Sequence, residues 1–229
     1  TTENKSVSYF PRGPRGNQKG FPMVRWDVTW SKIEKWWILD RVFQSITLKH
    51  GFNGEQSMTF SNSIKQNEQY TLHYAPVLGM TGTTKGPDPF TIIANYYLNR
   101  TINNPDEHST VRNHNDQMTM TIKKEKRGGF LINTFFFRDF YIKNNIEFLF
   151  TFNYTKDRTL GTSTRVSNIT DFNEDSKNMS WSIKPELKFS FTDLITGNFY
   201  IIYGITESKT TGRKEERDFG FTINVRIHG

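Results

Sequence analysis

Apolar residues take every second place over long stretches of this chain. Near its C-terminus Phe219, Phe221, Ile223, Val225 and Ile227 alternate with Asp218, Gly220, Thr222, Asn224, Arg226 and His228. Further back Met179, Trp181, Ile183, Leu187, Phe189 and Phe191 alternate with Ser180, Ser182, Lys184, Glu186, Lys188 and Ser190. Successive side chains of a strand point to opposite faces, so each run has one oily face and one wet face. A sheet of such strands needs water on one side and either a protein core or lipid on the other.

Composition narrows the choice. Only 34% of the 229 residues are hydrophobic, yet 15% are aromatic and 20 are Phe. A disordered chain would be poor in aromatics, so the polarity belongs to half-wet strands. No run of about 18 apolar residues exists, which excludes a transmembrane helix but not a membrane barrel, whose strands alternate. Cysteine is absent, so there is no disulfide, thiolate ligand or thiol nucleophile. The net charge is +7, but the basic residues are scattered, and no nucleic-acid partner is expected. The first residues, Thr1-Thr2-Glu3, carry no initiator Met or signal peptide, as in a mature product or a piece of a longer chain.

Residues 1–20, with Pro11-Arg12-Gly13-Pro14-Arg15-Gly16, read as a basic extended loop, and residues 21–229 as strands. Val24, Trp26, Val28 and Trp30 form the first apolar face; Ser31 and Glu34 have the spacing of a capping box for a short helix through Trp37. Strands are predicted at about 42–52, 56–64, 69–80, 90–102, 116–125, 143–156, 178–192, 198–208 and 217–228. Asn53-Gly54 suits a tight hairpin turn between the first two. Pro76 calls for an edge, a bulge or an early strand end. The stretch 128–142, with Phe135-Phe136-Phe137, breaks the alternation and reads as a packed turn or short extra strand. The expected fold is all-β: an antiparallel meander of ten or eleven strands. Several strands have the ~9–11 residues that a tilted strand needs to cross a bilayer. Connections at 157–177, 193–197 and 209–216 run long, short and intermediate; short periplasmic turns and long outer loops would put the C-terminus in the periplasm.

Catalytic motifs are missing. There is no Gly-x-Ser-x-Gly elbow and no His-Glu-x-x-His. Gly79–Lys85 has the glycines of a phosphate loop but neither its Gly-Lys-Ser/Thr ending nor a following helix, so it reads as a turn. His108 and His114, near Asp106, Glu107 and Asp116, match no standard ligand spacing and read as a solvated loop. Asn99-Arg100-Thr101, Asn153-Tyr154-Thr155 and Asn168-Ile169-Thr170 are chance triplets in a chain rich in Asn and Thr. No cofactor, metal or enzymatic step is expected. Trp26, Trp30, Trp36 and Trp37 suit either an aromatic belt at a membrane boundary or core packing, with the belt favoured.

Four blocks carry a resemblance. Phe21-Pro22-Met23-Val24-Arg25-Trp26-Asp27-Val28-Thr29-Trp30-Ser31-Lys32-Ile33-Glu34-Lys35 is similar to a stretch of the SprA/Sov proteins, although Ser31-Lys32-Ile33 stands where that family has Gly-Leu. Ser45-Ile46-Thr47-Leu48-Lys49-His50-Gly51-Phe52, Tyr74-Ala75-Pro76-Val77-Leu78-Gly79-Met80 and the ending from Arg217 to Gly229 resemble later segments, in family order. The resemblance implies a very large outer-membrane barrel, the translocon of the type 9 secretion system, linked to gliding motility in some bacteria. It implies folded cargo with a C-terminal secretion signal, a PorV-like barrel at a lateral opening and a periplasmic plug protein. On that reading the chain is a C-terminal part of the barrel wall.

A wall of this kind assigns faces. Lipid would meet Trp26, Trp30, Phe148, Phe150, Phe152, Trp181, Phe189, Phe191, Phe221 and Ile223. The lumen would meet Arg25, Asp27, Glu147, Thr151, Lys184, Glu186, Lys188, Thr222 and Asn224. The competing readings are a complete small outer-membrane barrel, acting as an adhesin or enzyme, and a soluble sandwich that binds a polymer through aromatics.

Overall fold

The computed structural model describes residues 2–7, 9–10, 21–22, 25–104, 109–127, 130–132, 140–142, 145–162, 173–190 and 195–226. Ten strands form one antiparallel sheet: β1 (Thr2–Val7), β2 (Trp26–Ser31), β3 (Phe43–Ser61), β4 (Ile64–Thr84), β5 (Phe90–Asn104), β6 (Thr110–Lys126), β7 (Ile146–Thr162), β8 (Asn173–Ser190), β9 (Ile195–Ser208) and β10 (Gly212–Val225). From β3 to β10 each strand pairs with the next, and β1 and β2 share the far edge of β3. The sheet is open, with β10 at one margin and β1 and β2 at the other. Two short ribbons pair outside this sheet: Tyr9–Phe10 with Phe21–Pro22, which approaches β3, and Phe130–Ile132 with Phe140–Ile142.

The all-β meander expected from the alternation is present. Its strands are longer than the sequence suggests. Asn53-Gly54 is not a turn: Asn53 pairs with His73 and Gly54 with Leu72 inside an unbroken β3. The reason is phase. Phe52, Gln56, Met58 and Phe60 keep the same parity across the pair, so one strand satisfies them all. The hairpin falls instead at Asn62-Ser63, whose φ values of 49° and 64° are the two positive angles of a tight turn. At Pro76 the register between β4 and β5 shifts between Tyr74 and Leu78, which is the bulge that proline calls for. Gly51 meets this bulge from β3, where a Cβ would stand 2.7 Å from the Ala75 carbonyl oxygen.

The expected helix at 31–37 is reduced to two 3-10 turns, Ile33–Lys35 and Leu39–Arg41. Ser31 ends β2, and Lys32 precedes the first turn with φ 65°. The Glu34 carboxylate accepts the Ile46 backbone N–H at 3.0 Å, so it anchors the turn to β3 rather than closing a capping box. The loops expected at 103–115 and 157–177 are largely strand, because β6 starts at Thr110, β7 reaches Thr162 and β8 starts at Asn173.

Connections alternate between the two ends of the sheet. Those at 62–63, 105–109, 163–172 and 209–211 share one end; those at 32–42, 85–89, 127–145 and 191–194 share the other, where β10 finishes. The longest, 127–145, therefore lies at the C-terminal end of β10, and loop length does not carry the expected orientation.

Four apolar side chains are buried among the described residues: Ile46, Phe52, Tyr70 and Ile205. The chain exposes 15715 Å², against about 11,000 Å² for a compact soluble protein of its mass. Among the described residues no second layer covers either face.

Candidate functional site: two opposed faces of one sheet

Register fixes which side chains share a face. Phe150 stands opposite Ile122 and Pro185, and Ile122 opposite Ile92, which stands opposite Gly82 and so reaches Ile46. The next row joins Phe90, Lys124, Phe148, Leu187, Phe199 and Phe221; another joins Trp30, Leu48, Met80, Ala94, Met120, Phe152, Ile183 and Tyr203. Tyr96, Met118, Tyr154, Trp181 and Ile205 follow, and the Phe52 ring lies between Trp26 and Tyr74, with centroids 4.4 Å from the first and 4.6 Å from the second. Trp26, Trp30, Phe148, Phe150, Phe152, Trp181, Phe189, Phe221 and Ile223 thus lie on one face. Much of it is bare: Phe221 is 55% exposed and Phe219 78%. Phe191 lies outside the described residues. Trp36 and Trp37 stand beyond this face on the 32–42 connection, both highly exposed, so the four tryptophans do not form one cluster.

The apolar rows form a continuous band across the sheet. They run from Phe90 to Leu98 on β5, Ile146 to Tyr154 on β7, Met179 to Phe189 on β8, Ile195 to Ile205 on β9 and Phe219 to Val225 on β10. On β7 the band is about nine residues wide, close to one bilayer crossing. It is also oblique. Its centre shifts by about eight residues over the six steps from β4 to β10. At ~3.3 Å per residue and ~4.8 Å per strand this is an inclination of roughly 40°.

One end of the strands continues much further past the band than the other. β7 runs on from Tyr154 to Thr162, β6 reaches back from Met118 to Thr110, and β8 from Met179 to Asn173. At the other end β5, β7 and β9 begin at or beside the band, and β8 and β10 finish there. The overhang is polar and internally bonded. Glu68 accepts hydrogen bonds from Gln56 Nε2 at 2.7 Å, Tyr70 OH at 2.6 Å and Lys65 Nζ at 2.9 Å. Burial alone would raise its carboxyl pKa, but the bonds from Tyr70, Lys65 and Gln56 hold it below the usual value. His114, also on the overhang, is pushed down to about 4 by burial and by the Arg100 and Arg158 guanidiniums, against the pull of Asp116.

The opposite face is wet and charged. Lys123 Nζ meets Glu147 at 2.6 Å, Lys188 bridges Glu147 at 3.6 Å and Glu186 at 3.4 Å, and Lys184 meets Glu186 at 2.9 Å. Lys184 also lies 4.9 Å from the centre of the Tyr200 ring. Along Lys123, Glu147, Lys188, Glu186 and Lys184 the charges alternate in sign, three cations to two carboxylates, and Glu125, opposite Glu147, supplies a third carboxylate that balances the face. Thr151 stands opposite Lys184, and Thr222 opposite Asn198, itself opposite Lys188. Asn224 pairs with Thr196 on the same side, Asp27 follows the parity of Gly51, and Arg25 is exposed just before β2. The predicted hydrated-face residues that lie in strands therefore share a face opposed to the aromatic one; Arg25 precedes β2 and has no place in the register. Sequence reading missed Lys123 as a ladder member, although Thr119, Thr121 and Lys123 continue the even spacing.

His108 lies outside the described residues, and among those described no three potential metal ligands converge. No family model matches the chain. No curated protein matches it either.

Proposed function

We propose that this chain is part of the wall of an outer-membrane β-barrel, with the aromatic face toward lipid and the charged ladder toward a water-filled lumen. One observation carries the reading: an uncovered apolar band about one bilayer crossing wide, inclined by the ~35–45° at which barrel strands tilt. A soluble sandwich would bury such a face under a second sheet. The open margins favour a wall segment over a closed small barrel.

Strand overhang supports the orientation that loop length does not. Outer-membrane barrels are short on the periplasmic side and extended outside. The flush end, where β10 finishes, is then periplasmic.

The further reading is a protein-conducting channel of the SprA/Sov kind, in type 9 secretion and gliding motility. Its cargo would be folded proteins with a C-terminal signal, and its partners a PorV-like barrel and a periplasmic plug. The four resembling blocks support it, as does a lumen face whose charges neutralise one another and so offer cargo no fixed binding site.

Residues 1–229 contain no cysteine, so each introduced thiol is the only one in this segment and the unsubstituted protein serves as the labelling blank. In whole cells Thr151→Cys and Asn224→Cys should react with a membrane-impermeant maleimide, and Phe150→Cys and Phe152→Cys should not. A stalled cargo should protect the first pair. Equal labelling of both pairs would reject the wall assignment; labelling unaffected by cargo would reject the secretion channel alone.

A further inference from the structure

Three cations stand together just past the aromatic margin. Tyr154 ends the band on β7 and faces Trp181, which stands one row inside the end of the band on β8 at Met179. One row beyond, Lys156 stands opposite Met179; one row further, Arg158 stands directly opposite Lys177. Directly opposed residues have Cβ atoms about 5 Å apart, and like charges so placed repel. The neighbouring cation Arg100 is neutralised by Asp116 at 2.5 Å, but no ion pair ties Lys156, Arg158 or Lys177 to a carboxylate among the described residues. The same row continues through His114 to Arg100; Asp116, the residue opposite Lys156, is engaged by Arg100, which leaves Arg158 and Lys177 facing each other.

We infer that Lys156, Arg158 and Lys177 form a docking site for the phosphate groups of a glycolipid headgroup in the outer leaflet. The inference rests on the membrane reading above. Tyr and Trp at a band margin sit at headgroup depth, and the first charges beyond them meet the phosphates. An Arg fork can grip two phosphate oxygens while the lysines add point charges from either side. A phosphate would remove the Arg158–Lys177 repulsion. Charge complementarity favours phosphate over a neutral sugar headgroup, and the lipid-side position favours a membrane lipid over a soluble polymer.

The test uses the full-length protein in phosphatidylcholine nanodiscs doped with diphosphoryl lipid A or with chemically dephosphorylated lipid A. Native mass spectrometry reads the retained glycolipid, and quenching of Trp fluorescence by brominated acyl chains reads insertion independently. Wild type should retain the phosphorylated form preferentially. Each cation removed should weaken retention about fivefold, so Arg158→Gln with Lys177→Gln should weaken it by roughly twentyfold or more, and Lys123→Gln on the other face should change nothing. Equal retention of both glycolipids by wild type, with quenching intact, would overturn the site and leave the membrane reading standing. Loss of quenching would overturn both.

Discussion

At the scale of single residues, opposite faces of one strand should answer differently to the same change. Phe221 lies in the apolar band of β10, and Asn224 on the other face near the flush end. Phe221→Arg should destabilise the inserted state by ~2–4 kcal/mol, the cost of an arginine near the bilayer midplane, and Asn224→Arg by far less. Urea unfolding from lipid vesicles checks this; similar losses would mean that the faces are not lipid and water. That the two residues lie on opposite faces was legible in the sequence because parity alone decides it. The grouping of Lys156, Arg158 and Lys177 was not. Lys156 closes the strand expected at 143–156, and Arg158 and Lys177 fall in the stretch 157–177 that reads as a polar loop, since no apolar residue marks the alternation there. Lys156-x-Arg158 does continue the spacing of Phe152 and Tyr154, but only pairing with Lys177 gives it meaning.

At the scale of elements, hairpin chemistry decided where reading from sequence failed. Asn53-Gly54 permits a turn without requiring one, and the ladder with β4 prevails over local preference. The turn is taken by Asn62-Ser63, where Ser63 holds a left-handed φ of 64° without the freedom of glycine. A left-handed conformation costs an ordinary L-residue about 1–2 kcal/mol. Ser63→Gly should therefore stabilise the β3–β4 hairpin by about 0.5–1 kcal/mol after the flexibility that glycine adds to the unfolded chain. A raised midpoint of urea unfolding would be the sign; a lowered one would mean that the Ser63 side chain contributes more than its backbone costs. The helix expected at 31–37 failed for a comparable reason. A capping box needs Glu34 for its own first turn, and Ile46 N–H holds that carboxylate instead.

At the scale of the molecule, an excess exposure of roughly 5,000 Å² over a compact soluble chain is the dominant fact. Kept in water, the protein should sediment as aggregate; with detergent present it should remain in the supernatant as a defined species. Sedimentation with and without detergent measures this, and a monodisperse detergent-free monomer would contradict an uncovered face. The sheet order was legible because consecutive strands of a meander pair in sequence. The slant of the band was not, since it emerges only when seven strands are laid in register. The open margin at β10 carries its own requirement. Hydrocarbon supplies neither donors nor acceptors for a bare edge of peptide groups. Inside a bilayer, whatever adjoins β10 must itself be an extended segment, matched in length and slant, zipped to it amide by amide.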